Sequence, residues 1–196
     1  MERMIPTRPG ERRHAVTIKQ ALGMPPVVTQ VAKMWASLTA AKPTANPSGS
    51  TPENLRGGGL VRRMGTTVAN IRYRAGVQRG MYLFHGERLF LIDDIADAAG
   101  NRREMDLVLT ELSGYPATYR QGENEYPIRT VINNRMHEVG EFARVGEHRR
   151  IAEIPRVELP VRPAPGDQIV IGVNSHTVIG LADGGDDGIT IRLGVR

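Results

Sequence analysis

The chain contains no cysteine, which excludes disulfides, thiolate-held zinc and cysteine nucleophiles. Aromatic residues are scarce at 5%, with a single tryptophan, so any core has to rest on Val, Ile, Leu and Met. No apolar run approaches the ~20 residues that a membrane-spanning helix needs. The opening MERMIPTRPGERRH is basic but has no apolar segment behind it, so it does not read as a secretory signal. These absences predict synthesis in a cytoplasm and no membrane association. Lysine is nearly missing: of 26 basic residues, only Lys19, Lys33 and Lys42 are lysine. Arginine's planar fork pairs with phosphate and carboxylate bidentately, although a GC-rich genome produces the same bias.

Catalytic constellations are missing as well. His14, His85, His137, His148 and His176 are scattered, without the paired spacing of a metalloenzyme helix. Asp93, Asp94 and Asp97 cluster at an expected strand end, and Asp183, Asp186 and Asp187 in a Gly-rich turn; neither has the spacing of a calcium loop. Ser48, Ser50 and Ser175 lack a nucleophile-elbow context. Gly57, Gly58 and Gly59 match neither a phosphate loop nor a dinucleotide fingerprint and read as the end of a flexible loop. The chain is expected to be no enzyme and to need no cofactor or metal.

What the sequence does contain is turns and short alternating segments. Gly and Pro supply 22 and 13 of the 196 residues. Strand patterning is expected over 13–20, 27–38 (VVTQVAKMWASL, with a helix as the alternative), 66–75, a hairpin over 81–95, and 101–112. Val68 is out of phase with Ile71 and Tyr73, which predicts a bulge or a late strand start. Trp35, Phe84, Phe90, Ile92 and Leu107 are expected to pack together. Residues 40–59 hold too little apolar surface to offset ordering entropy, and a loop of this length is expected to be functional or disordered. After turns at SGYP, GENEYP and PAPGD, short strands return over 117–121, 128–133, 169–173, 176–181 and 189–193. Turns at 174–175 and 182–188 are expected to join the last three. Residues 136–154 fit a helix or a hairpin, with Gly140 and Gly146 favouring strands. The expected fold is all-β: two small antiparallel barrels or sandwiches, residues 1–112 and 113–196, the first carrying the long loop 40–59. No internal repeat of useful length is visible.

Charge divides along the chain. Residues 1–112 carry 16 Lys and Arg against 10 Asp and Glu, and residues 113–196 carry 10 against 11. Arg56, Arg62, Arg63, Arg72, Arg74 and Arg79 follow or flank the long loop and form a candidate basic surface able to track a phosphate backbone. Only Tyr73 lies among them, whereas single-strand binders interleave several stacking aromatics.

The order of these elements resembles a known family. Residues 9–112 are similar to the head–tail joining, or head-closure, proteins of tailed bacteriophages. The resemblance runs through PGERRHAVTIKQ, the Trp35-Ala36 pair in KMWASL, the long loop, IRYRAG at 71–76, YLFHGERLFLIDDIAD at 82–97 and REMDLVLTEL at 103–112. It departs after the Trp-Ala strand, where Pro, Asn and Gly stand in place of the family's helical Ala-containing stretch. Residues 113–196 resemble a second class, the small β-rich phage head–tail attachment proteins, in APGDQIVIGVNSHTVIGL at 164–181 and DDGITIRL at 186–193.

The resemblance implies a non-enzymatic virion protein made in the host cytoplasm. It implies a stopper-like ring of six or twelve copies between a portal-side connector and a tail-side protein, around packaged double-stranded DNA. Lys42, Glu53, Arg56, Gly57, Gly58 and Gly59 then become channel-facing or inter-subunit loop residues. Arg62, Arg63, Arg72, Arg74 and Arg79 become the basic interaction surface. A nucleic-acid-binding barrel of the OB kind is the alternative.

Overall fold

The computed structural model describes residues 13–40, 61–97, 100, 102–134 and 150–196, and leaves aside the side chains of 61–66, 134, 183 and 184. It is an all-β protein of two closed antiparallel six-stranded barrels. Strands β1 (His14–Leu22), β2 (Val27–Ala40), β3 (Val61–Arg72), β4 (Tyr82–His85), β5 (Arg88–Ala96) and β6 (Glu104–Ser113) form the first. The second comprises β7 (Tyr115–Gln121), β8 (Asn124–Asn134), β9 (Arg150–Pro155), β10 (Gln168–Ile171), β11 (Asn174–Asp186) and β12 (Thr190–Val195), with a 3-10 turn at Arg156–Glu158. The chain forms two compact units dividing between Ser113 and Gly114, the second of which also takes in the turn Leu22–Val27.

The first barrel runs in the order β1-β2-β3-β6-β5-β4 and closes on itself. Its interior is filled by pairing small residues with large ones across the strands, the device that fits side chains into a narrow barrel. Ala36 stands opposite Ile71, and Leu38 opposite Ala69. Phe90, Ile92, Leu83 and Leu107 fill the space so left. Arg88 grips Glu111 through two hydrogen bonds of 2.9 Å and ties β5 to β6 near the hairpin end. This pairing raises the Arg88 pKa.

The second barrel closes in the order β10-β11-β12-β9-β8-β7. Taken from β7, this is the strand order of the first barrel, so the chain repeats a topology that its sequence does not reveal. Residues 41–60 and residues 135–149 link the second strand to the third in their respective barrels. Tyr119, Ile154, Ile169, Ile191 and Leu193 lie in its core. Asp167 pins the turn before β10: one carboxylate oxygen accepts from the Tyr119 hydroxyl at 2.5 Å, the Ala164 amide at 2.8 Å and the Gln121 amide group at 2.9 Å. Burial, reinforced by Asp167, pushes the Tyr119 hydroxyl far above its ordinary pKa.

Several sequence expectations are corrected. Trp35 is exposed (60%) rather than in the core, because Ala32 and Ala36 take the inward positions of β2 and alternation turns Trp35 outward. Phe84 is only half-buried, while Phe90, Ile92 and Leu107 do pack together. There is neither a bulge at Val68 nor a late strand start: β3 begins at Val61, its register with β2 is regular over Thr67 to Ile71, and small Ala69 is the inward residue. The irregularity in this barrel falls between Ile92 and Asp94, which places Asp93 and Asp94 inside β5 rather than beyond its end. SGYP is no turn; only Gly114 separates β6 from β7. A Cβ there would lie 3.0 Å from the Thr130 amide nitrogen and 3.1 Å from its carbonyl oxygen, so glycine is needed for the close approach. GENEYP is mostly strand, with the turn confined to Gly122 and Glu123 between paired Gln121 and Asn124. The hairpin turn expected at 174–175 falls instead at Gly172-Val173, because Gly172, at φ 57, supplies the positive φ of a two-residue hairpin. β11 continues through most of 182–188 by a register shift between Leu181 and Asp186. The segments 41–60 and 135–149, including the loop 40–59 beyond Ala40, lie outside the described residues.

Phe90 is fully buried and Trp35 is not. Phe90→Ala is therefore expected to cost about 3–5 kcal/mol in urea unfolding, whereas Trp35→Ala should leave the midpoint nearly unchanged. A comparable loss from both would refute the inward and outward assignment of these strands.

Candidate functional site

Polar chemistry in this protein is carried on the barrel walls and turns. Two histidines that the sequence separates are brought together at the end of the first barrel. His14 Nδ1 lies 3.2 Å from His85 Nε2, with the rings edge to face. Burial lowers the His85 pKa, and His14 and Arg88 lower it further. Lys19, one strand position series further along β1, caps the Phe84 ring at 4.6 Å.

Within the acidic clusters, Asp93, Asp97 and Asp187 serve the fold. Asp93 accepts from the Thr110 hydroxyl, and Asp97 from the Arg102 amide at 3.1 Å. In the turn before β12, Asp187 takes the amides of Ile189 at 2.9 Å and Thr190 at 2.6 Å, and the Thr190 hydroxyl at 3.1 Å. Burial pushes the Asp187 carboxyl up, but these hydrogen bonds and Arg192 outweigh it, and the net pKa is lowered. Glu158 holds β8 to the 3-10 turn, accepting from Arg129 Nε at 2.7 Å and the Arg129 amide at 2.8 Å. Its pKa is raised by burial, against the pull of Arg129. No group of three or more His, Asp or Glu among the described residues is placed to hold a metal ion.

The first barrel's surface carries the clearest signal. Strands β1 to β3 and the turns that follow hold Arg13, Lys19, Lys33, Arg62, Arg63, Arg72, Arg74 and Arg79, and no carboxylate side chain from 13 to 40 or from 61 to 86. Strands β4 to β6 and their connections hold Glu87, Asp93, Asp94, Asp97, Glu104, Asp106 and Glu111 against Arg88, Arg102 and Arg103. In the barrel's strand order, β1, β2 and β3 are contiguous, as are β6, β5 and β4. One half of the wall is cationic and the other mainly anionic.

The expected basic surface divides within this frame. Arg72 and Arg74 are exposed and make no ion pair among the described residues. Arg79 is engaged with the anionic half, donating to the Asp93 carbonyl at 2.7 Å and lying 3.7 Å from Asp94. Arg62 and Arg63 are on β3, with side chains outside the description; Lys42, Glu53, Arg56, Gly57, Gly58 and Gly59 are outside it altogether. Sequence reasoning missed Trp35 as a surface residue. Its signal was alternation with Ala32 and Ala36. The carboxylate-free run was also readable in the sequence but was blurred by counting charge over whole halves.

A model of the phage head completion protein family matches residues 7–112, more than half the chain. The chain belongs to this family. A model of the phage head-tail attachment protein family matches residues 92–194, so the two overlap over 92–112 and together take in both barrels. These are families of structural phage proteins of the head and the head–tail region, and membership makes this chain a virion component. No curated protein and no solved structure matches it.

His85 gives this head-completion barrel a pH dependence with a definite sign. His85 has its pKa lowered in the fold, so the unfolded chain binds protons more readily as pH drops through about 6.5. Stability then rises with pH across that range. Urea midpoints of His85→Gln measured between about pH 5 and 8 should change less steeply than those of the wild type around the histidine pKa. Parallel slopes would remove His85 as the cause.

Proposed function

We propose that this protein joins head to tail and helps to close the DNA channel, as a ring stacked between a portal-side connector and a tail-side protein. The observation that carries the proposal is the succession of a head completion match and a head-tail attachment match along one chain. A chain with both modules is suited to meeting a neighbour on each side. The charge pattern supports the same reading. Exposed Arg74, with Arg62 and Arg63 on the preceding strand β3, suits sequence-independent contact with phosphates of packaged duplex DNA.

On this proposal Lys42, Glu53, Arg56 and Gly57 to Gly59, in the link between β2 and β3, face the channel or the next subunit and order there. Lys42 and Arg56 are suited to phosphates and Glu53 to a neighbour's arginine. The cationic wall lacks the successive stacking platforms of a single-strand binder, since Trp35 is its one exposed aromatic and Tyr73 packs partly on the core. That weighs against the OB-like alternative. The copy number, six or twelve, follows the connector on which the ring is built.

Mass spectrometry of purified virions should find the chain in a fixed ratio to the connector. Deleting residues 44–56 should leave a folded protein but yield particles that release their DNA or fail to acquire tails. Fully infectious, DNA-retaining particles carrying the deletion would exclude the proposed role of the loop. Absence of the chain from virions would exclude the joint itself.

A further inference from the structure

The first barrel's two unlike walls suit each other. In the closed order β1-β2-β3-β6-β5-β4, β2 and β5 stand three strands apart in either direction, on opposite sides. The outer face of β2 presents Lys33 and Trp35, the latter 60% exposed. One register step beyond the Ala36–Ile71 pair brings Arg72 level with Trp35. None of the three has an ion-pair partner among the described residues. Beyond its bulge, β5 turns Asp94 and Ala96 outward, because Ile95 between them packs on the core. Asp94 has a side-chain exposure of 59%, and its one ion pair among the described residues is the long 3.7 Å approach of Arg79. Beside it on β6 stands half-buried Val108, paired with Asp94 across the ladder.

A large exposed aromatic flanked by cations is the composition of an interface hot spot. It calls for a partner that offers a carboxylate beside a small apolar patch, and the opposite wall of the same barrel carries that combination. We propose that the first barrel docks a second copy of this chain head to tail, with Lys33, Trp35 and Arg72 of one copy against Asp94 and Ala96 of the next. Because the two faces differ and lie on opposite walls, the contact is heterologous. Repeated, it closes into a ring when the rotation between copies allows. This names the subunit contact of the ring proposed above and rests on that reading for its biological setting only. An exposed contact led by charge is weak between two free copies, so it serves in a ring, where each copy is held on both sides.

The chain has no cysteine and one tryptophan, which makes the full-length protein suited to a test. Ser37 lies beside the cationic patch on β2 and Ala96 is the small residue beside Asp94; neither carries a charge, so a cysteine at either leaves the charged groups of the contact in place. Mixed at high concentration and low salt under oxidising conditions, Ser37→Cys and Ala96→Cys proteins should form a 37–96 disulfide. That product should be lost at high salt, where the Debye length shrinks to about 3 Å. Lys33→Glu in the Ser37→Cys chain should abolish it, and Asp94→Lys in the Ala96→Cys chain should restore it. Trp35 emission should shift to the blue as wild-type protein is concentrated.

A 37–37 product in place of 37–96 would overturn the head-to-tail arrangement. So would absence of the 37–96 product, or insensitivity to Lys33→Glu in variants whose thermal melts match the wild type. Trp35 emission that responds to short duplex DNA but not to protein concentration would assign the face to nucleic acid. The outcome is separable from the virion role. A chain present in virions that gives no 37–96 product refutes the docking alone, and one that gives the product but is absent from virions refutes the joint alone.

Discussion

The fold depends on closing each sheet on itself. β1 meets β4 through Thr17–Phe84, Ile18–Leu83 and Lys19–Tyr82, and β7 meets β10 through Tyr119–Ile169 and its neighbours. These pairs join the beginning of each barrel to its middle, across long stretches of chain. They satisfy backbone groups that burial would otherwise leave unpaired at a cost. They also set the interior diameter, which is why alanines at 32, 36, 69 and 152 are as necessary as the large residues facing them. On β2 the inward positions belong to Ala32 and Ala36, and the single tryptophan is consequently available to the surface.

From closure follows the division of labour between inside and outside. The two core clusters are built of apolar residues, and buried Thr130 is held by its hydroxyl, which donates to the Glu153 carbonyl at 2.9 Å. Turns that carry acidic residues spend them locally: Asp167 gathers three donors on one oxygen, and Asp187 caps the turn into β12. What remains for recognition is the wall itself, where the first barrel separates its charges by strand. The family match gives this separation a setting in which a protein must meet other phage head and tail proteins.

Much of the fold was legible because two-residue alternation is a direct readout of a half-buried sheet. β1, the β4–β5 hairpin and β6 show it cleanly, with Val16 and Ile18, Phe90 and Ile92, and Met105, Leu107 and Leu109 all inward. Errors arose where local composition and tertiary constraint disagree. Polar Asn174 and Ser175 look like a turn, but backbone geometry places the turn at Gly172. Trp35 looks like a core residue by its size, although alternation with Ala32 and Ala36 turns it outward. The repeated strand order is invisible because cross-strand pairing carries the plan: Leu38–Ala69 in one barrel and Ala152–Leu193 in the other do the same work with different residues. Of the candidate surface, the arginines were legible and the pairing of Arg79 with β5 was not, since that contact joins a turn to a bulge whose place only the register reveals.

A closed barrel has no strand edge to lend. Neither unit can accept a neighbour's strand or donate one of its own without first breaking its wall, so partners have to be met through side chains and loops. Such joints form and part without refolding either partner. For a virion component, an error in assembly then does not become a permanent entanglement of chains.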